Sequence, residues 1–212
     1  MLFTVNKLSY STNNFIFNDI SFNLDKSSEI TIIGKSGLGK STLLKILAQF
    51  ISPISGDIYY NDKSIYKYAL PLYRQKVSYC IQNPTLFGIT VKENLDFPFY
   101  IKGISVDRNQ IYKLLDYLLL DKEIYKRNIK TLSGGERQRI AIIRNILLNP
   151  DILLLDEAND GLDDKVKCRM RQLLNKIKNS GTSIISVTHD KSFISSKSQI
   201  LNLNDYGVEK NA

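Results

Sequence analysis

A glycine-rich stretch near the N-terminus, GKSGLGKST, has the composition of a phosphate-binding loop. The pattern G-x-x-x-x-G-K-[ST] is matched by Gly34, Gly39, Lys40 and Ser41. The glycines permit a tight loop whose N–H groups face phosphate oxygens, the lysine reaches the β- and γ-phosphates, and the serine hydroxyl can ligate Mg²⁺. The predicted nucleotide-contacting residues of this loop are Gly34, Lys35, Ser36, Gly37, Leu38, Gly39, Lys40, Ser41 and Thr42.

A second chemical feature is the apolar run DILLLDE, which ends in two acidic residues. Buried carboxylates are costly without partners, so this ending is unusual as simple packing. At the carboxyl end of a central strand, Asp156 can hold Mg²⁺ through water, and Glu157 can orient or deprotonate an attacking water. The alternative is a strand that merely emerges into a polar loop. Together with the phosphate loop, the run predicts hydrolysis of a nucleoside triphosphate.

The stretch TLSGGERQRIAIIRNILLNP contains a candidate second phosphate site. Ser133 and Glu136 have the spacing of a helix capping box, and a well-capped helix is the simplest interpretation. However, Gly134 and Gly135 leave the N–H groups of the helix N-terminus bare, which favours an anion. A second phosphate site in a chain that already has one indicates a composite site.

LSGGERQR resembles the signature sequence of ABC-type ATPases. The phosphate loop, LLLDE, Gln82 after VSYCI and His189 in VTHD occur in the order of that family. The resemblance implies that Gln82 senses Mg²⁺ and the attacking water, and that His189 contacts the γ-phosphate of ATP. The expected catalytic residues are therefore Glu157, His189 and Gln82, and the expected metal site comprises Ser41, Gln82 and Asp156.

The resemblance also implies a dimer. In this family Ser133, Gly134 and Gly135 would contact the ATP held by a second subunit, so that two ATP molecules are sandwiched head to tail. Tyr10 is the candidate for stacking on adenine, although the usual spacing in the family points to Ser11 or Thr12.

One loop departs from the family pattern. After LLLDE the chain has ANDGLDD, where a Pro-Thr-Ser-Ala-Leu-Asp-like run is common. Leu162 and Asp163 keep their places, whereas residues 158–161 do not match. Because this loop normally crosses the dimer interface, we expect altered communication between subunits and intact catalytic groups.

The segments around these motifs have the periodicity of strands and helices. Alternating LFTVNKLSY and FIFNDISFNL, and the apolar runs in EITIIG, KVSYCIQ, DILLLDE and TSIISVTHD, predict strands, with a short edge strand at 58–60. Helical periodicity after residue 83 is interrupted at Pro98 and Gly103. We predict an α/β fold with a P-loop NTPase core, a mainly parallel sheet, an N-terminal antiparallel β portion and an inserted α-helical subdomain. The single domain spans 1–212, with the core at 1–82 and 149–212 and the helices at 83–148.

The amino-acid composition limits the binding partners and the cellular compartment that fit this chain. The 212 residues include 29 Lys and Arg against 21 Asp and Glu, which gives a formal net charge of +8. This balance fits nucleic acid, anionic lipid, a polyphosphate ligand or a solvated surface. Cys80 and Cys168 lack CxxC spacing, so a reducing compartment fits better than a disulfide framework. We find neither an apolar run of membrane-spanning length nor a leader pattern, and expect a chain that is neither secreted nor membrane-spanning.

Three uses of the ATP energy remain open: a membrane-transporter subunit, an ABC protein acting on nucleic acid or ribosomes, and an assembly module with little turnover. The single cassette favours the transporter. The expected partners are a multi-span membrane permease and a second cassette, in a homodimer or pseudo-dimer, with no nucleic acid. The expected location is peripheral, at the cytoplasmic face of a bacterial cell membrane.

The segment after Gln82 is rich in apolar residues. VSYCIQNPTLFGITVKENLDFP resembles small cassettes of metal-exporting, iron-linked bacterial transporters. The apolar residues of this region are Leu86, Phe87, Ile89, Val91, Leu95, Phe97, Phe99 and Tyr100. Some would fill the core, but an exposed apolar patch commonly marks a protein interface. We expect a cytoplasmic helix of the membrane subunit to pack against Leu86 and Phe87.

Overall fold

Nine strands and six α-helices are present in this computed structural model, which describes residues 1–11, 16–190 and 193–207. The strands are β1 (Phe3–Ser11), β2 (Ile16–Leu24), β3 (Glu29–Ile33), β4 (Ser55–Tyr60), β5 (Lys63–Ser64), β6 (Val77–Cys80), β7 (Ile152–Asp156), β8 (Ser183–Val187) and β9 (Gln199–Asn202). The helices are α1 (Lys40–Leu47), α2 (Leu70–Lys76), α3 (Val91–Ile101), α4 (Arg108–Tyr117), α5 (Gly134–Leu147) and α6 (Asp164–Asn179). Within these described ranges, no helix has the length and apolar character needed to cross a bilayer.

A five-stranded sheet in the order β6-β7-β8-β3-β9 forms the centre of the molecule, and all of its strand pairs are parallel. Every residue of β7 is buried, as its continuous apolar run predicts. The residues that follow β3, β6, β7 and β8 therefore lie at one edge of the sheet, the carboxyl edge, which is where α/β folds bind ligands. The predicted parallel α/β core is confirmed.

The second sheet is antiparallel and has the order β2-β1-β4-β5. It confirms the predicted N-terminal antiparallel portion. The prediction of a short edge strand at 58–60 is wrong, because β4 begins at Ser55 and lies between β1 and β5. Gly56 permits this pairing: its φ is +96°, and a Cβ there would lie 2.4 Å from the Lys7 carbonyl oxygen.

Helix α3 corrects another expectation. Pro98 lies inside α3 and does not interrupt it, although Gly103 does follow its end. Val91, Leu95 and Phe99 are buried on one face of the helix, so tertiary packing offsets the backbone hydrogen bond that proline removes. A capping box of Thr90 and Glu93 fixes the start.

Two apolar clusters form the core. One fills the space between the two sheets around α1, and the other joins α3 and α5 to β7 and α6. The second cluster combines Leu95 of the predicted insert with Leu155 and Met170 of the predicted core. The two parts therefore share apolar packing, and the division at residues 83 and 148 stays a prediction.

Candidate functional site

The phosphate loop connects β3 to α1, and Lys40 is the first residue of that helix. Lys40 is only 6% exposed, and its Nζ donates hydrogen bonds of 2.9 Å to the carbonyl oxygens of Gly34 and Lys35. Gly39 precedes the helix with φ 83°, a conformation that favours glycine. The loop therefore folds around a buried ammonium group.

A cavity of about 370 Å³ opens at this loop, and its lining consists of Ser36, Gly37, Gly39, Lys40, Ser41, Thr42, Gln82 and Glu157. Three residues of the predicted phosphate loop, Gly34, Lys35 and Leu38, are not among these lining residues. The Lys35 N–H donates to Asn204 Oδ1 at 3.3 Å, and Leu38 is half-buried with its Cδ1 near Gly34. The cavity brings the rest of the loop together with two predicted catalytic residues.

Asp156 ends β7 inside the site and is 2% exposed. Its Oδ1 accepts a hydrogen bond of 2.8 Å from the Ser41 hydroxyl, and its Oδ2 accepts one of 2.7 Å from the Tyr79 hydroxyl. Two of the three predicted metal ligands, Ser41 and Asp156, are therefore in direct contact. Tyr79, in β6, was missed by sequence reasoning, since nothing in KVSYCIQ distinguishes it from a strand tyrosine.

Glu157 follows β7 and lies between Gln82 and His189. Gln82 Nε2 donates a hydrogen bond to Glu157 Oε2, and His189 Nε2 lies 3.4 Å from Glu157 Oε1. The φ of Glu157 is 47°, a left-handed value that residues other than glycine adopt infrequently. Its N–H donates to the Val187 carbonyl at 3.0 Å, which holds this turn against β8. The structure thus brings together the three residues predicted to be catalytic.

Burial shifts the pKa values of two ionisable groups in the site, the Glu157 carboxyl and the Lys40 ammonium, in opposite directions. Burial raises the pKa of the Glu157 carboxyl, and Asp160 acts in the same direction, while the His189 charge opposes them. Burial lowers the pKa of the Lys40 ammonium, which the charges of Glu157 and then Asp156 oppose. A carboxylate with a raised pKa accepts a proton more readily, so Glu157 is suited to act as a general base.

Ser133 is the N-cap residue of α5. Its Oγ accepts a 3.1 Å hydrogen bond from the Glu136 N–H, and its own N–H donates to Glu136 Oε2 at 2.7 Å. The capping box is therefore present. Gly134 and Gly135 line a separate cavity of about 440 Å³ with Gln82, Asn83, Pro84, Arg137, Gln138, Asp160 and Gly161. Ser133, Gly134 and Gly135 are therefore not among the described residues that line the phosphate-loop cavity.

The divergent loop at 158–163 is tied to the turn that carries His189. Asn159 is 3% exposed, and its Oδ1 accepts a 3.2 Å hydrogen bond from the Thr188 hydroxyl. Thr188 Oγ1 in turn accepts one from the Asp190 N–H at 3.1 Å. Sequence reasoning missed this link, because it joins residues of two loops that only the fold places together.

Tyr10 lies in β1, half-buried, with its ring 6.0 Å from that of Phe17. Ser11 ends the same strand, whereas Thr12 lies outside the described residues. The tyrosine packs against the core cluster between the sheets. Its role toward adenine stays a prediction.

Three features lie at one edge of the parallel sheet. They are the phosphate loop between β3 and α1, Asp156 at the end of β7, and Glu157, whose pKa is raised. This fold and this site define a P-loop NTPase. The ABC transporter family matches residues 17–160. The chain belongs to that family, and it is an ATP-binding subunit that hydrolyses ATP to power transport.

Individual relatives extend the match over most of the chain. The chain is 40% identical over 195 residues to "Probable iron export ATP-binding protein FetA" of Escherichia coli (strain K12), covering 92% of this chain and 87% of FetA. It is 37% identical over 190 residues to "Molybdate/tungstate import ATP-binding protein WtpC" of Methanocaldococcus jannaschii, covering 88% of this chain and 62% of WtpC. These relatives include both an exporter and an importer.

Solved structures of ABC proteins have a similar fold. The ATP-binding cassette MJ0796, in a dimeric post-hydrolysis state with ADP and Pi, matches with a TM-score of 0.83 and 26% identity over 94% of this chain and 93% of that chain. A bacterial Atm1-family ABC exporter with ATP bound matches with a TM-score of 0.83 and 25% identity, over 94% of this chain and 36% of that chain.

Proposed function

We propose that this chain works as one half of an ATP-driven dimer whose two ATP sites are each shared between subunits. One observation carries the proposal. Among the described residues, the cavity at Gly134 and Gly135 and the cavity at the phosphate loop share Gln82 alone. The signature glycines therefore line a different cavity from the phosphate loop of the same chain, and in this proposal a second chain completes each half-site.

In the proposed site each half supplies different groups. The phosphate loop and Lys40 bind the β- and γ-phosphates, while Ser133, Gly134 and Gly135 of the other subunit face the γ-phosphate. Glu157 takes the proton of the attacking water, and the hydrogen bond from Gln82 fixes its carboxylate. The contact between His189 and Glu157 supports a role for His189 at the γ-phosphate.

The donor set at the strand end fits a magnesium ion. Hydroxyl, carboxylate and amide oxygens are the ligand types that Mg²⁺ prefers, and Ser41, Asp156 and Gln82 offer one each. We infer that these residues hold Mg²⁺, which would neutralise charge on the phosphates when it is bound.

The shared-site proposal can be tested with Glu157→Gln. The amide keeps the shape but not the base, so hydrolysis should fall on the order of 10²- to 10⁴-fold. Because the ATP sandwich then forms and persists, sedimentation in saturating MgATP should show a dimer. A monomer under these conditions would contradict the shared site.

A matched control uses the other half-site. Apart from its chain neighbours and the backbone of its own helix, no atom of the described residues lies within 4 Å of a Cβ built at Gly134, so Gly134→Asp fits the fold sterically. Its carboxylate places a negative charge where the γ-phosphate should bind. The Glu157→Gln/Gly134→Asp double variant should bind ATP as the single variant does and remain a monomer.

An apolar groove supports docking of the membrane permease. Of the eight apolar residues named above for this region, four are exposed: Phe87, Ile89, Phe97 and Tyr100. Leu86 is half-buried, whereas Val91, Leu95 and Phe99 belong to the core. The groove, about 510 Å³, is lined by Thr85, Leu86, Phe87, Phe97, Arg144, Asn145 and Leu148. We infer that a cytoplasmic helix of the permease lies in it and that the chain works at the cytoplasmic membrane face.

For the cargo we infer iron-linked export. The likeness to FetA, which covers most of both chains, supports it. Cells without this chain should then become more sensitive to added iron, and their sensitivity to molybdate should not change. Unchanged growth in iron would exclude this cargo and leave the ATPase assignment intact.

A further inference from the structure

A tyrosine hydroxyl holds the carboxylate of the inferred magnesium site. Asp156 is 2% exposed, and its two oxygens accept hydrogen bonds from Ser41 and Tyr79. We propose that Tyr79 is a positioning residue for Mg²⁺: it keeps the Asp156 carboxylate in the orientation that the ion requires. The inference rests on the magnesium site proposed above.

The reason lies in how the two carboxylate oxygens are shared. A serine hydroxyl that ligates Mg²⁺ uses a lone pair and keeps its proton, so Ser41 Oγ can still donate to Asp156 Oδ1. Tyr79 holds the other oxygen from the neighbouring strand, β6. Its hydroxyl reaches Oδ2, which leaves Oδ1 on the side of Ser41. A carboxylate with one oxygen fixed loses less freedom when the other oxygen faces the ion.

The surroundings of Tyr79 keep its ring in place. Tyr79 pairs with Leu154 of β7 in the parallel sheet, so its backbone is fixed next to the strand that carries Asp156. Its ring centroid lies 5.8 Å from that of Phe50, and the Arg74 guanidinium lies 3.9 Å from the Phe50 ring centroid.

Arg74 connects this stack to the phosphate loop. It donates to the carbonyl oxygens of Ala48 and Gln49 at 3.3 Å and 2.8 Å, just beyond the end of α1. The same helix begins at Lys40. The tyrosine is therefore set by packing that starts at the helix of the phosphate loop.

The test compares binding of a non-hydrolysable ATP analogue with Mg²⁺ and with EDTA. In the wild-type chain Mg²⁺ should increase affinity. In Tyr79→Phe the ratio of the affinity with Mg²⁺ to the affinity in EDTA should be about tenfold smaller. A tenfold change corresponds to the typical free energy of a hydrogen bond to a charged group. Affinity in EDTA should stay the same, because the hydroxyl contacts the carboxylate and not the loop.

Tyr60→Phe is the matched control. The Tyr60 hydroxyl donates to Asp151 Oδ2, a carboxylate just before β7 at the opposite end of the strand. This variant loses the same kind of hydrogen bond, and its increase with Mg²⁺ should equal that of the wild type. An unchanged increase in Tyr79→Phe, or an equal loss in Tyr60→Phe, would overturn the role of Tyr79. No increase in the wild type would overturn the magnesium site itself.

A second variant keeps the test decisive if Tyr79→Phe does not fold. Phe50 is 55% exposed, so Phe50→Leu removes little core. It removes the ring that packs on Tyr79, and the increase with Mg²⁺ should fall in the same direction by a smaller factor. If that increase is unchanged in Phe50→Leu, the proposed support of Tyr79 is wrong.

Discussion

At the scale of single residues, Lys40 combines burial with a positive charge. Its ammonium donates hydrogen bonds to the carbonyl oxygens of Gly34 and Lys35. Burial lowers its pKa, while Glu157 and Asp156 favour the charged form. The negative charges of the site thus help to keep a buried cation ionised, which is otherwise unfavourable.

Replacing Lys40 with alanine should weaken MgATP binding about 100-fold. The estimate takes two hydrogen bonds to charged oxygens at about 1.5 kcal/mol each, and every 1.4 kcal/mol is tenfold in affinity. Titration of MgATP by calorimetry measures the loss. Lys45→Ala, on the last turn of the same helix, is the control and should keep wild-type affinity. Unchanged affinity in Lys40→Ala would refute the role of the ammonium.

At the scale of elements, a buried asparagine fixes the segment that carries Phe87. Asn94, in α3, is fully buried. Its Oδ1 accepts hydrogen bonds from the Phe87 N–H at 3.1 Å and from Arg144 Nη1 at 2.8 Å. Its Nδ2 donates to the carbonyl oxygens of Phe87 and Thr90 at 2.8 Å and 3.1 Å. One side chain therefore joins α3, α5 and the segment after Gln82.

Asn94→Ala should lower the free energy of unfolding by about 2–4 kcal/mol, since it leaves buried polar groups without partners. Denaturation in urea, monitored by circular dichroism, provides the measurement. The control is Asn109→Ala on α4, where the asparagine is exposed and the change should stay within about 0.5 kcal/mol. A loss below 1 kcal/mol in Asn94→Ala would show that the segment is held by other contacts.

At the scale of the whole molecule, the segment after Gln82 can connect ATP to a membrane partner. Gln82 contacts Glu157 in the site, and Phe87 lies a few residues further on, 42% exposed. The Phe87 ring is 5.1 Å from that of Phe97 and 5.4 Å from the Arg144 guanidinium. A shift of Gln82 with the γ-phosphate would therefore move an apolar surface.

Phe87→Asp should leave basal hydrolysis of the isolated chain unchanged and abolish its stimulation by the membrane subunit. The aspartate is tolerated because the side chain is partly exposed and faces Arg144. Hydrolysis is measured with and without the reconstituted permease. Ile200→Asp, at another exposed apolar residue on β9, is the control and should keep the stimulation. If Phe87→Asp unfolds the isolated chain, the residue is core and the docking surface is wrong.

The fold could be predicted in part from local patterns. Apolar periodicity identifies β7 and β8, because every residue of a buried parallel strand must be compatible with two covered faces. It did not identify β5, α2 or β9, whose segments are short or polar. Nor did it show that α3 continues through Pro98, since burial on one face outweighed the local penalty.

The sequence by itself determined the phosphate loop, the acidic strand end and the signature stretch. Each is a contiguous motif whose chemistry depends on the backbone of one turn, which neighbouring residues dictate. The tertiary structure alone decided which groups meet. Tyr79 reaches Asp156 across 77 residues, and Thr188 reaches Asn159 across 29. Such contacts depend on the order and register of parallel strands. Order and register follow from packing of the whole chain, so no short segment of the sequence predicts them.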